Sequence, residues 1–560
     1  PIGTQYATES RDNGAFTIPN IKAGTQYKLE VLAPGYINPE IENITFRLGQ
    51  VLTANLKLLP EGMTTAEIQV TAKRNAVISQ SRTGAATNVN DKQIESFPTI
   101  ARSFQDFAKF TPQFDGKTSS AAGRSSRFNN IQIDDTQYND LFGLTSSGTP
   151  GGQAGTNPIS LDAIQEFQVV VAPYDVRLGG FTGGGINAIT RSGTNQFSGA
   201  IYSYNRNQDF MGKSPDALQK KYPNFTENQT GIRLGGPILE NKLFFFVNAE
   251  MTKKVEPKKN LVIDQASTDA VRNQYISYAN KVDSIARNKY SYNPGSYTPY
   301  DAERPSGKLF LRFDYNLDKN HKITLRHNYV SAYDEITGRN DKVINFSDRI
   351  YKMKNNTNST VLQVNSVFGK EFSNEFIAGY TAVRDKREPK SSSFPSIQIK
   401  TPVTGLNIQL GGEEFSQANK LNQDIFELTD NFTWYMDEHT LTFGTHNEFF
   451  SFENLFIRDF YGFYAFNSID DFANGKPSQY RLSYSKLPGV TQPTAKFDVT
   501  QLGFYAQDEW KVLPNLKLTY GIRADIPIFP KNPLYNDTLY KYFGLNTSKV
   551  PSGKVLISPR

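Results

Sequence analysis

The sequence has no cysteine among its 560 residues, and it has only five methionines and two tryptophans. The absence of cysteine excludes disulfide frameworks, thiolate metal sites and cysteine nucleophiles together. No apolar run approaches the roughly 20 residues that a membrane-spanning helix needs, so a helical membrane protein is excluded. The opening residues Pro1 to Tyr6 have neither the basic region nor the apolar core of a secretory signal. We therefore expect that a signal has been removed or that the start is missing.

Motifs for catalysis and metal binding are also scarce. The sequence has no H-E-x-x-H, no G-x-S-x-G and no complete calcium-binding loop. No paired constellation of Asp and Glu stands out either. The four histidines fall within or beside predicted strands, and they are His321, His327, His439 and His446. The sequence therefore predicts neither an enzyme, nor a cofactor, nor a metal site.

Aromatic residues, in contrast, are abundant. The chain has 40 Phe and 29 Tyr, a composition that favours strands. Its mean hydropathy of −0.51 does not exclude a transmembrane β-barrel, because each spanning strand is apolar only at alternate positions. The net charge of +6 comes from 61 basic and 55 acidic residues without a long basic run, which gives little support for binding of nucleic acid. A chain of this length should divide into at least two domains.

Residues 1–62 consist of short strand-like stretches with turn signals such as Asp12-Asn13-Gly14 between them. This pattern predicts a small β-sandwich. The stretch "DNGAFTIPNIKAGTQYKLEVLAPGY" resembles the carboxypeptidase-regulatory-like domains that are appended to larger envelope proteins. Because the family pattern begins further upstream than Pro1, we expect the sandwich to be incomplete.

Residues 63–90 are small and polar around one β-prone run, which predicts a linker. Residues 91–195 combine a helical start with the strand-like stretches "FNNIQIDD" and "IQEFQVVVAPYD", which predicts a compact α+β domain with long loops. This domain ends in "GGFTGGGINAITRSG", and such a glycine cluster is typical of left-handed turns, phosphate cradles or closely packed backbones. The cluster matches neither G-x-x-x-x-G-K-[ST] nor a G-x-G-x-x-G between a strand and a helix, so we do not expect a phosphate site.

From Phe197 onward the chain alternates with period two. The stretch "KLFLRFDYNL" places Leu309 and Phe313 on one face and Arg312 and Asp314 on the other. About eleven or twelve such strands follow one another, and short turns alternate strictly with long, polar, aromatic-rich connections. The long connections are residues 206–229, 252–307, 333–358, 386–423, 453–499 and 526–554. This sorting favours an outer-membrane β-barrel, with tight periplasmic turns and long extracellular loops, over a soluble all-β array.

Four stretches in this order resemble the plug and barrel of TonB-dependent outer-membrane transporters. They are "NDKQIESFPTIARSFQDFAKFTPQF", "GRSSRFNNIQIDD", "ISLDAIQEFQVVVAPYDVRLGGFTGGGINAITRSGTNQFSG" and "FYAQDEWKVLPNLKLTYGIRAD". The likeness is closest to the Oar-like branch common in Bacteroidota, which carries an N-terminal regulatory-like sandwich. The resemblance implies a periplasmic sandwich, a plug at residues 91–195 and a barrel over residues 196–560.

The family's barrel is a closed cylinder of 22 strands, and residues 196–560 hold about half that number. An open sheet edge in lipid would leave backbone groups unsatisfied, so this half could not span a membrane alone. We therefore expect the chain to be a fragment at both ends.

The resemblance also implies an energising partner, the TonB-ExbB-ExbD complex, which grips an extended peptide by adding it as a strand. The best match for such a TonB box lies in the linker, and the alternative is that it forms the last strand of the sandwich. Its residues are Glu67, Ile68, Gln69, Val70 and Thr71.

Three further sets of plug residues are candidates. Arginines of the plug that face acidic barrel residues would form a releasable charge latch, since buried charges are costly unless they are paired; the alternative is that they are surface charges of a polar lumen. Bulky residues in the plug loops 115–130 and 138–160 would meet substrate, or else would pack against the barrel wall. Glycines would form a hinge between plug and barrel, where backbones approach closely. The latch is Arg124, Arg127, Asp134 and Asp135, the substrate-facing set is Tyr138, Phe142 and Leu144, and the hinge is Gly183, Gly184, Gly185 and Gly193.

Two functions remain open at this point. The first is an energy-coupled importer in the outer membrane, in contact with its lipid. Substrates across the resembled superfamily include metal chelates, cobalamin, glycans and peptides, and aromatic, polar loops without metal-ligand clusters favour a peptide or a glycan. The second is a plugged barrel that acts as an adhesin or as a component of a secretion or surface assembly, with surface or periplasmic protein partners.

Overall fold

The computed structural model describes residues 3–37, 39–47, 51–61, 85–97, 99, 102–108, 110–115, 120–171, 174–215, 221–513 and 516–560. The predicted TonB box at residues 67–71 lies outside the described residues. In the part of the chain that is described, no helix has both the length and the apolar character needed to cross a membrane.

The N-terminal region contains two small sheets of two antiparallel strands each, β1 with β3 and β2 with β4. The strands are β1 (Gln26–Glu30), β2 (Tyr36–Ile37), β3 (Glu40–Thr45) and β4 (Leu59–Pro60). The predicted turn at residues 12–14 is present, because the amide of Gly14 donates to the carbonyl of Arg11 at 2.9 Å and Gly14 has a φ of +81°. Residues 3–11 and 15–19 on either side of this turn are not strands.

Residues 85–190 form an α+β unit, which we call the small domain. Its sheet has the order β5-β8-β9-β6-β7, and β5 already begins within the predicted linker. The first helix begins with a capping box, in which Asn90 and Gln93 each accept the other's backbone amide. The elements are β5 (Ala85–Asn90), α1 (Asp91–Ser96), α2 (Phe104–Ala108), β6 (Asn130–Ile133), β7 (Thr136–Gln137), β8 (Ile164–Val171) and β9 (Gly184–Thr190).

Seventeen strands are described after residue 197, and twelve of them form one continuous antiparallel sheet, the large sheet. The strands of the large sheet are β10 (Ser198–Asn207), β11 (Thr226–Leu239), β12 (Leu243–Lys258), β13 (Tyr300–Asn316), β14 (His321–Ile336), β16 (Tyr351–Phe368), β17 (Phe372–Pro389), β20 (Asn419–Tyr435), β21 (His439–Phe456), β24 (Ala495–Leu513), β25 (Leu516–Ile528) and β26 (Leu556–Pro559). The other five are β15 (Val343–Asn345), β18 (Ser396–Lys400), β19 (Asn407–Leu410), β22 (Phe463–Phe466) and β23 (Gln479–Arg481).

The two faces of the large sheet differ as the period-two pattern predicted. On β13, Lys308 and Arg312 are buried on one face, whereas Phe313 on the other face is 38% exposed. Aromatic and aliphatic side chains remain exposed along the apolar face, including Met251, Leu325, Phe426, Phe443 and Phe504. The polar face is covered by the small domain.

The connections also alternate as predicted. Residues 240–242, 317–320, 369–371 and 436–438 are short turns, and all of them lie at one end of the large sheet. The opposite end carries long connections, of which residues 529–555 hold a short helix, α6 (Asp537–Phe543).

Four long connections fold together into one unit, which we call the loop domain. Its sheet has the order β15-β19-β18-β22-β23 and contains two parallel pairs, β15 with β19 and β18 with β22. The helices are α3 (Leu261–Asp264), α4 (Asp269–Tyr290) and α5 (Ile469–Asn474). Their shared apolar core includes Val282, Phe346, Ile399, Ile408 and Phe472. The sequence analysis predicted only long polar connections here.

Candidate functional site

The polar face of the large sheet meets the small domain through the β6–β7 hairpin. Asp134 and Asp135 form the two-residue turn of this hairpin, with φ of +47° and +65°. Turns with two left-handed residues suit tight hairpins, and Asp tolerates this conformation better than most residues. The turn directs the Asp134 carboxylate at the large sheet.

The Asp134 carboxylate lies between two arginines of the large sheet. Its Oδ2 is 2.5 Å from Arg326 and 3.4 Å from Arg312. Thr190 completes the shell, because its amide donates to Oδ1 at 2.8 Å and its hydroxyl donates to Oδ2 at 2.6 Å. Arg312 also pairs with Asp314 at 2.7 Å. All three charges at the centre of this cluster are buried, so removal of the Asp134 carboxylate would leave the buried Arg326 without its ion-pair partner.

The predicted latch therefore has a different composition. Arg124 and Arg127 are exposed, and the buried partner from the small domain is the carboxylate of Asp134. The arginines come from the large sheet, so the polarity is the reverse of the expectation that arginines of residues 91–195 face acidic residues of the sheet. The physical reason is the hairpin geometry, which brings Asp134 against Arg312 and Arg326 while Arg124 stays in a solvent-facing loop.

A second buried carboxylate belongs to the large sheet itself. Glu250 pairs with Lys308 at 2.8 Å, and Ser160 of the small domain donates to its Oε2 at 2.6 Å. Tyr202 and Gln229 donate to the same oxygen, at 3.2 and 2.8 Å. Four donors thus share one carboxylate, and one of them comes from the small domain.

A third contact is made by Gln137, the last residue of β7. Its amide donates to Glu427 at 3.2 Å, and its side-chain amide lies 3.2 Å from Nε2 of His446. When Gln137 donates to Nε2, the neutral imidazole carries its proton on Nδ1, from which it donates to the hydroxyl of Thr429 at 2.8 Å. The β6–β7 hairpin therefore contacts the large sheet both at its turn, through Asp134, and at the end of β7, through Gln137.

The other end of the small domain contributes a surface network. Arg233 of β11 lies 3.1 Å from Glu95 and 3.5 Å from Asp162, which also pairs with Arg102 at 2.7 Å. Burial raises the pKa of Asp162, and the two arginines oppose this rise. Sequence reasoning did not single out these residues, because their pairing depends on which strand of the large sheet faces α1.

Asp135 has a separate environment. Its carboxylate accepts a hydrogen bond from Asn187 at 2.7 Å and has no ion pair at that distance among the described residues. Burial and, second to it, the charge of Glu375 raise its pKa to about 6. Of the two predicted acidic latch residues, only Asp134 thus joins an ion-pair cluster.

The predicted substrate-facing residues divide into two kinds. Tyr138 is buried, and Phe142 packs against Phe452 and Phe497 with ring centroids 5.2 and 6.2 Å apart. Leu144, in contrast, is 51% exposed. Phe452 and Phe497 belong to the ends of β21 and β24 that carry the long connections, so this loop lies at that end of the large sheet. Phe142 therefore packs against the large sheet, as the second of the two predicted alternatives states. Leu144 does not, because its side chain is exposed.

The glycine cluster is mostly not a hinge. Gly184 and Gly185 belong to β9, inside the sheet of the small domain. A Cβ on Gly184 would lie 2.4 Å from the ring of Phe114, and one on Gly183 would lie 2.9 Å from the carbonyl oxygen of Phe128. Of these four glycines, Gly193 lies where the chain reaches the large sheet. A Cβ on Gly193 would lie 2.4 Å from the carbonyl oxygen of Phe245. The glycines allow close packing, as expected, but three of them do so within the small domain.

Small cavities lie between the two units, and one beside Arg102, Asp162 and Arg233 has a volume of about 50 Å³. A cavity of about 10 Å³ lies between Tyr138 and the large sheet, where Thr381 and Glu448 line it. This volume is about the minimum for one water molecule. Two apolar residues of the large sheet, Phe246 and Phe310, join the core of the small domain. Together with the packing of Phe142 on Phe452 and Phe497, they form the apolar part of a contact whose buried ion pairs and hydrogen bonds are polar. In the part of the chain that the structure describes, no group of three or more His, Asp or Glu side chains is arranged to hold a metal ion.

Comparison with known families agrees with this architecture. The family model described as "Outer membrane beta barrel domain" matches residues 189–559. The chain belongs to this family. It is similar to the TonB-dependent transporter Oar of Myxococcus xanthus, with 25% identity over 94% of this chain and 57% of the relative. The chain therefore spans little more than half the length of this relative.

Solved structures support the same fold. The outer membrane transporter YddB from Escherichia coli matches 85% of this chain and 58% of its own, with a TM-score of 0.56 and 12% identity. A mutant of the ferric enterobactin receptor from Pseudomonas aeruginosa matches 80% of this chain and 58% of its own, with a TM-score of 0.51 and 12% identity. The relatives are transporters and receptors and not enzymes. The protein is thus an outer-membrane β-barrel protein related to TonB-dependent transporters.

Proposed function

We propose that the protein is an energy-coupled importer in which the small domain is the plug and the large sheet is part of the barrel wall. The observation that carries this proposal is the buried contact between Asp134, Arg312 and Arg326. Such a contact holds the small domain in place through specific polar groups. These groups can be hydrated again when the small domain moves, which a large apolar contact would resist.

Energy would enter through the linker. The stretch from Glu67 to Thr71 has the short β-prone pattern that a TonB-like partner can add as a strand, and backbone pairing needs little sequence specificity. Its pull would act on β5, the strand that directly follows the linker, and through the small domain on the Asp134 contact. We propose TonB-ExbB-ExbD as the energising complex.

The substrate would approach from the end with the long connections. Leu144 is exposed there, and the loop domain at the same end exposes Tyr480 and Tyr484, 53% and 69% respectively. Aromatic faces bind sugars and apolar side chains. We therefore favour a peptide or a glycan as substrate, and we place the short turns and the N-terminal sandwich in the periplasm.

Deletion of residues 67–72 tests this proposal. The ligand that co-purifies with the full-length protein would first be identified by native mass spectrometry and then used in labelled form for uptake by cells. We expect the deletion to abolish uptake and to leave the amount of folded protein unchanged. Deletion of residues 76–81, in the same linker, is the matched control and should leave uptake intact. Unchanged uptake without residues 67–72 would contradict the proposal.

The exposed side chains of the loop domain favour a second candidate function, docking of a surface or secreted protein. Tyr480 of the edge strand β23 is exposed, and so are Leu482 and Tyr484 in the segment that follows this strand. Replacement of all three by Ser should then abolish surface assembly and leave uptake intact. Loss of uptake alone would exclude the docking role for these residues.

A further inference from the structure

Residues 3–24, which precede β1 and which we call the strap, contact the short-turn end of the large sheet. Arg11 donates to the carboxylate of Asp437 at 3.1 Å and to the carbonyl oxygen of Tyr435 at 2.8 Å. Lys370 in the neighbouring short turn donates to the carbonyl oxygen of Ser10 at 2.9 Å. The strap therefore bridges two successive hairpins of the large sheet.

The beginning of the strap reaches a third hairpin. The side-chain amide of Asn316 donates to the carbonyl oxygen of Gly3 at 3.4 Å, and the Lys322 ammonium lies 4.1 Å from the ring centroid of Tyr6. Asn316 and Lys322 flank the short turn at residues 317–320. These contacts span five neighbouring strands, from β13 to β20, which is a distance of roughly 19 Å. Eight extended residues reach about 26 Å, so the strap is long enough to lie across this end.

The strap also reaches the small domain and the buried charges. Gln165 of β8 donates to the carbonyl oxygen of Gly24 at 3.0 Å. The Lys22 ammonium is buried and has no hydrogen-bond partner among the described residues. Burial and the charge of Arg312 lower the pKa of Lys22 to about 7, whereas Asp314 opposes this shift. Lys22 therefore lies close to the charges that hold Asp134.

We propose that the strap is a seal, which closes the space between the small domain and the large sheet at the short-turn end until it is released. This inference rests on the proposed function for its role in transport, but the seal itself is a property of the folded protein. In the sequence, the linker predicted at residues 63–90 follows the N-terminal sheets and leads into the small domain. A pull on the linker would thus act on both the strap and the small domain. Release of substrate into the periplasm would require that the strap first detach from the short-turn end of the large sheet.

Thiol labelling of purified full-length protein tests the seal, and the absence of cysteine from the 560-residue sequence makes each reporter unique in this chain. Thr324 is a suitable reporter, because it is buried on the polar face near the short turn and donates to Asp314 at 2.9 Å. We expect a maleimide-polyethylene glycol reagent to label Thr324→Cys about tenfold faster when Arg11→Glu is added, because that change removes a charged hydrogen bond and places like charges together. Thr381→Cys, which is buried beneath the small domain, is the matched control and should stay protected in both backgrounds. Equal labelling of Thr324→Cys with and without Arg11→Glu would overturn the seal.

A reversible cross-link provides the second measurement. A Cβ on Gly3 would lie 2.5 Å from Cγ of Asn195, so the two Cβ atoms are within about 4 Å, which suits a disulfide. Asn195 is itself held to the first short turn through Asn241 at 2.7 Å. In a protein that keeps Thr324, Gly3→Cys with Asn195→Cys should, in cells, block uptake of the co-purified ligand until a reductant is added. Gly14→Cys with Asn195→Cys is the control, because Gly14 has the same left-handed backbone and no neighbour within 4 Å.

The two arms separate failure of the seal from failure of the proposed function. Uptake that continues with the disulfide formed would overturn the seal. A protein that shows the expected protection of Thr324→Cys, but whose labelling in cells is the same with and without a protonophore, would keep the seal and contradict energised transport.

Discussion

The loop domain and the small domain are attached to the large sheet in different ways. The loop domain grows out of four connections and is held by its own apolar core, in which Phe346, Ile399 and Phe472 are completely buried. The small domain contacts the polar face through the ion pairs and hydrogen bonds of Asp134, Glu250 and Gln137. Smaller apolar contacts accompany them, made by Phe246 and Phe310 and by the packing of Phe142 on the ends of β21 and β24. Apolar packing favours a permanent unit, whereas hydrogen-bonded charges favour a specific contact that can be exchanged for water. The loop domain thus depends mainly on its own core, whereas the position of the small domain depends on individual ion pairs and hydrogen bonds to the large sheet.

The largest effect is expected in the core of the loop domain. Phe472→Ala removes a fully buried ring and should cost about 3 to 5 kcal/mol. Because this cost falls on the loop domain alone, hydrogen exchange should accelerate in β18 and β22 and not in the large sheet. Phe543→Ala is the control, because Phe543 is 70% exposed; it should change neither the stability of the loop domain nor hydrogen exchange in the large sheet. Equal acceleration in the large sheet would show that the loop domain is not a separate unit.

The next effect concerns the buried charges. Asp134→Asn removes the carboxylate between Arg312 and Arg326 and should weaken the attachment of the small domain by about 3 kcal/mol, because Arg326 loses its carboxylate partner. Urea titration followed by hydrogen exchange in β6 and β9 measures this loss. Asp470→Asn is the control, since this carboxylate is exposed and pairs with Lys281 at the surface. An unchanged midpoint for Asp134→Asn would refute the role assigned to the cluster.

A smaller effect depends on pH. Asp348 of the loop domain accepts hydrogen bonds from Tyr292 at 2.7 Å and from the amide of Gly411 at 2.6 Å, and burial raises its pKa to about 7. Since the folded-state pKa is above that of the unfolded chain, the stabilising contribution is complete below about pH 4 and is lost as the pH rises through 7. Asp348→Asn should remove this pH dependence and should stabilise the loop domain at pH 8 by about 2 kcal/mol. Thermal unfolding of the wild type and of Asp348→Asn at pH 5 and pH 8 measures this pH dependence. Asp341→Asn, at an exposed position, is the control and should leave it unchanged.

The smallest effect concerns Arg124 and Arg127, the two arginines that the sequence analysis placed in the charge latch and that the structure leaves outside it. Arg124→Gln and Arg127→Gln should each change the free energy of unfolding by less than about 0.5 kcal/mol, because both side chains are exposed. Denaturant titration of the small domain measures this. A loss as large as that of Asp134→Asn would restore the original expectation that these arginines hold the small domain.

The sequence predicted those features that depend on neighbouring residues. The alternation of polar and apolar side chains along β13 follows from the two-residue period of a strand. The short turns were predicted because few residues separate one such alternating stretch from the next. Pairing of Asp134 with Arg312 could not be predicted, because it joins positions 178 residues apart through the register of two sheets. The loop-domain sheet has no clear signal in the sequence. Its strands are three to five residues long, and two of its strand pairs are parallel and join different connections.

One signal for the loop domain was present and was missed. Thr268 caps α4 by accepting from the amide of Val271, and the buried residues Ala279, Val282 and Ala286 follow at helical spacing. These features predict a helix with one buried face. A helix of this kind indicates that an apolar partner surface exists among the same connections.

The central claim is that the small domain must separate from the large sheet during transport, and a reversible cross-link between them tests it most directly. A Cβ on Gly379 of β17 would lie 3.4 Å from Cγ2 of Thr136 in the hairpin, and a disulfide between Thr136→Cys and Gly379→Cys is therefore within reach. The measurement is uptake of the co-purified ligand by cells before and after reduction of this disulfide. The account predicts that uptake is blocked in the oxidised protein and restored by the reductant. Full uptake with the disulfide quantitatively formed would contradict it.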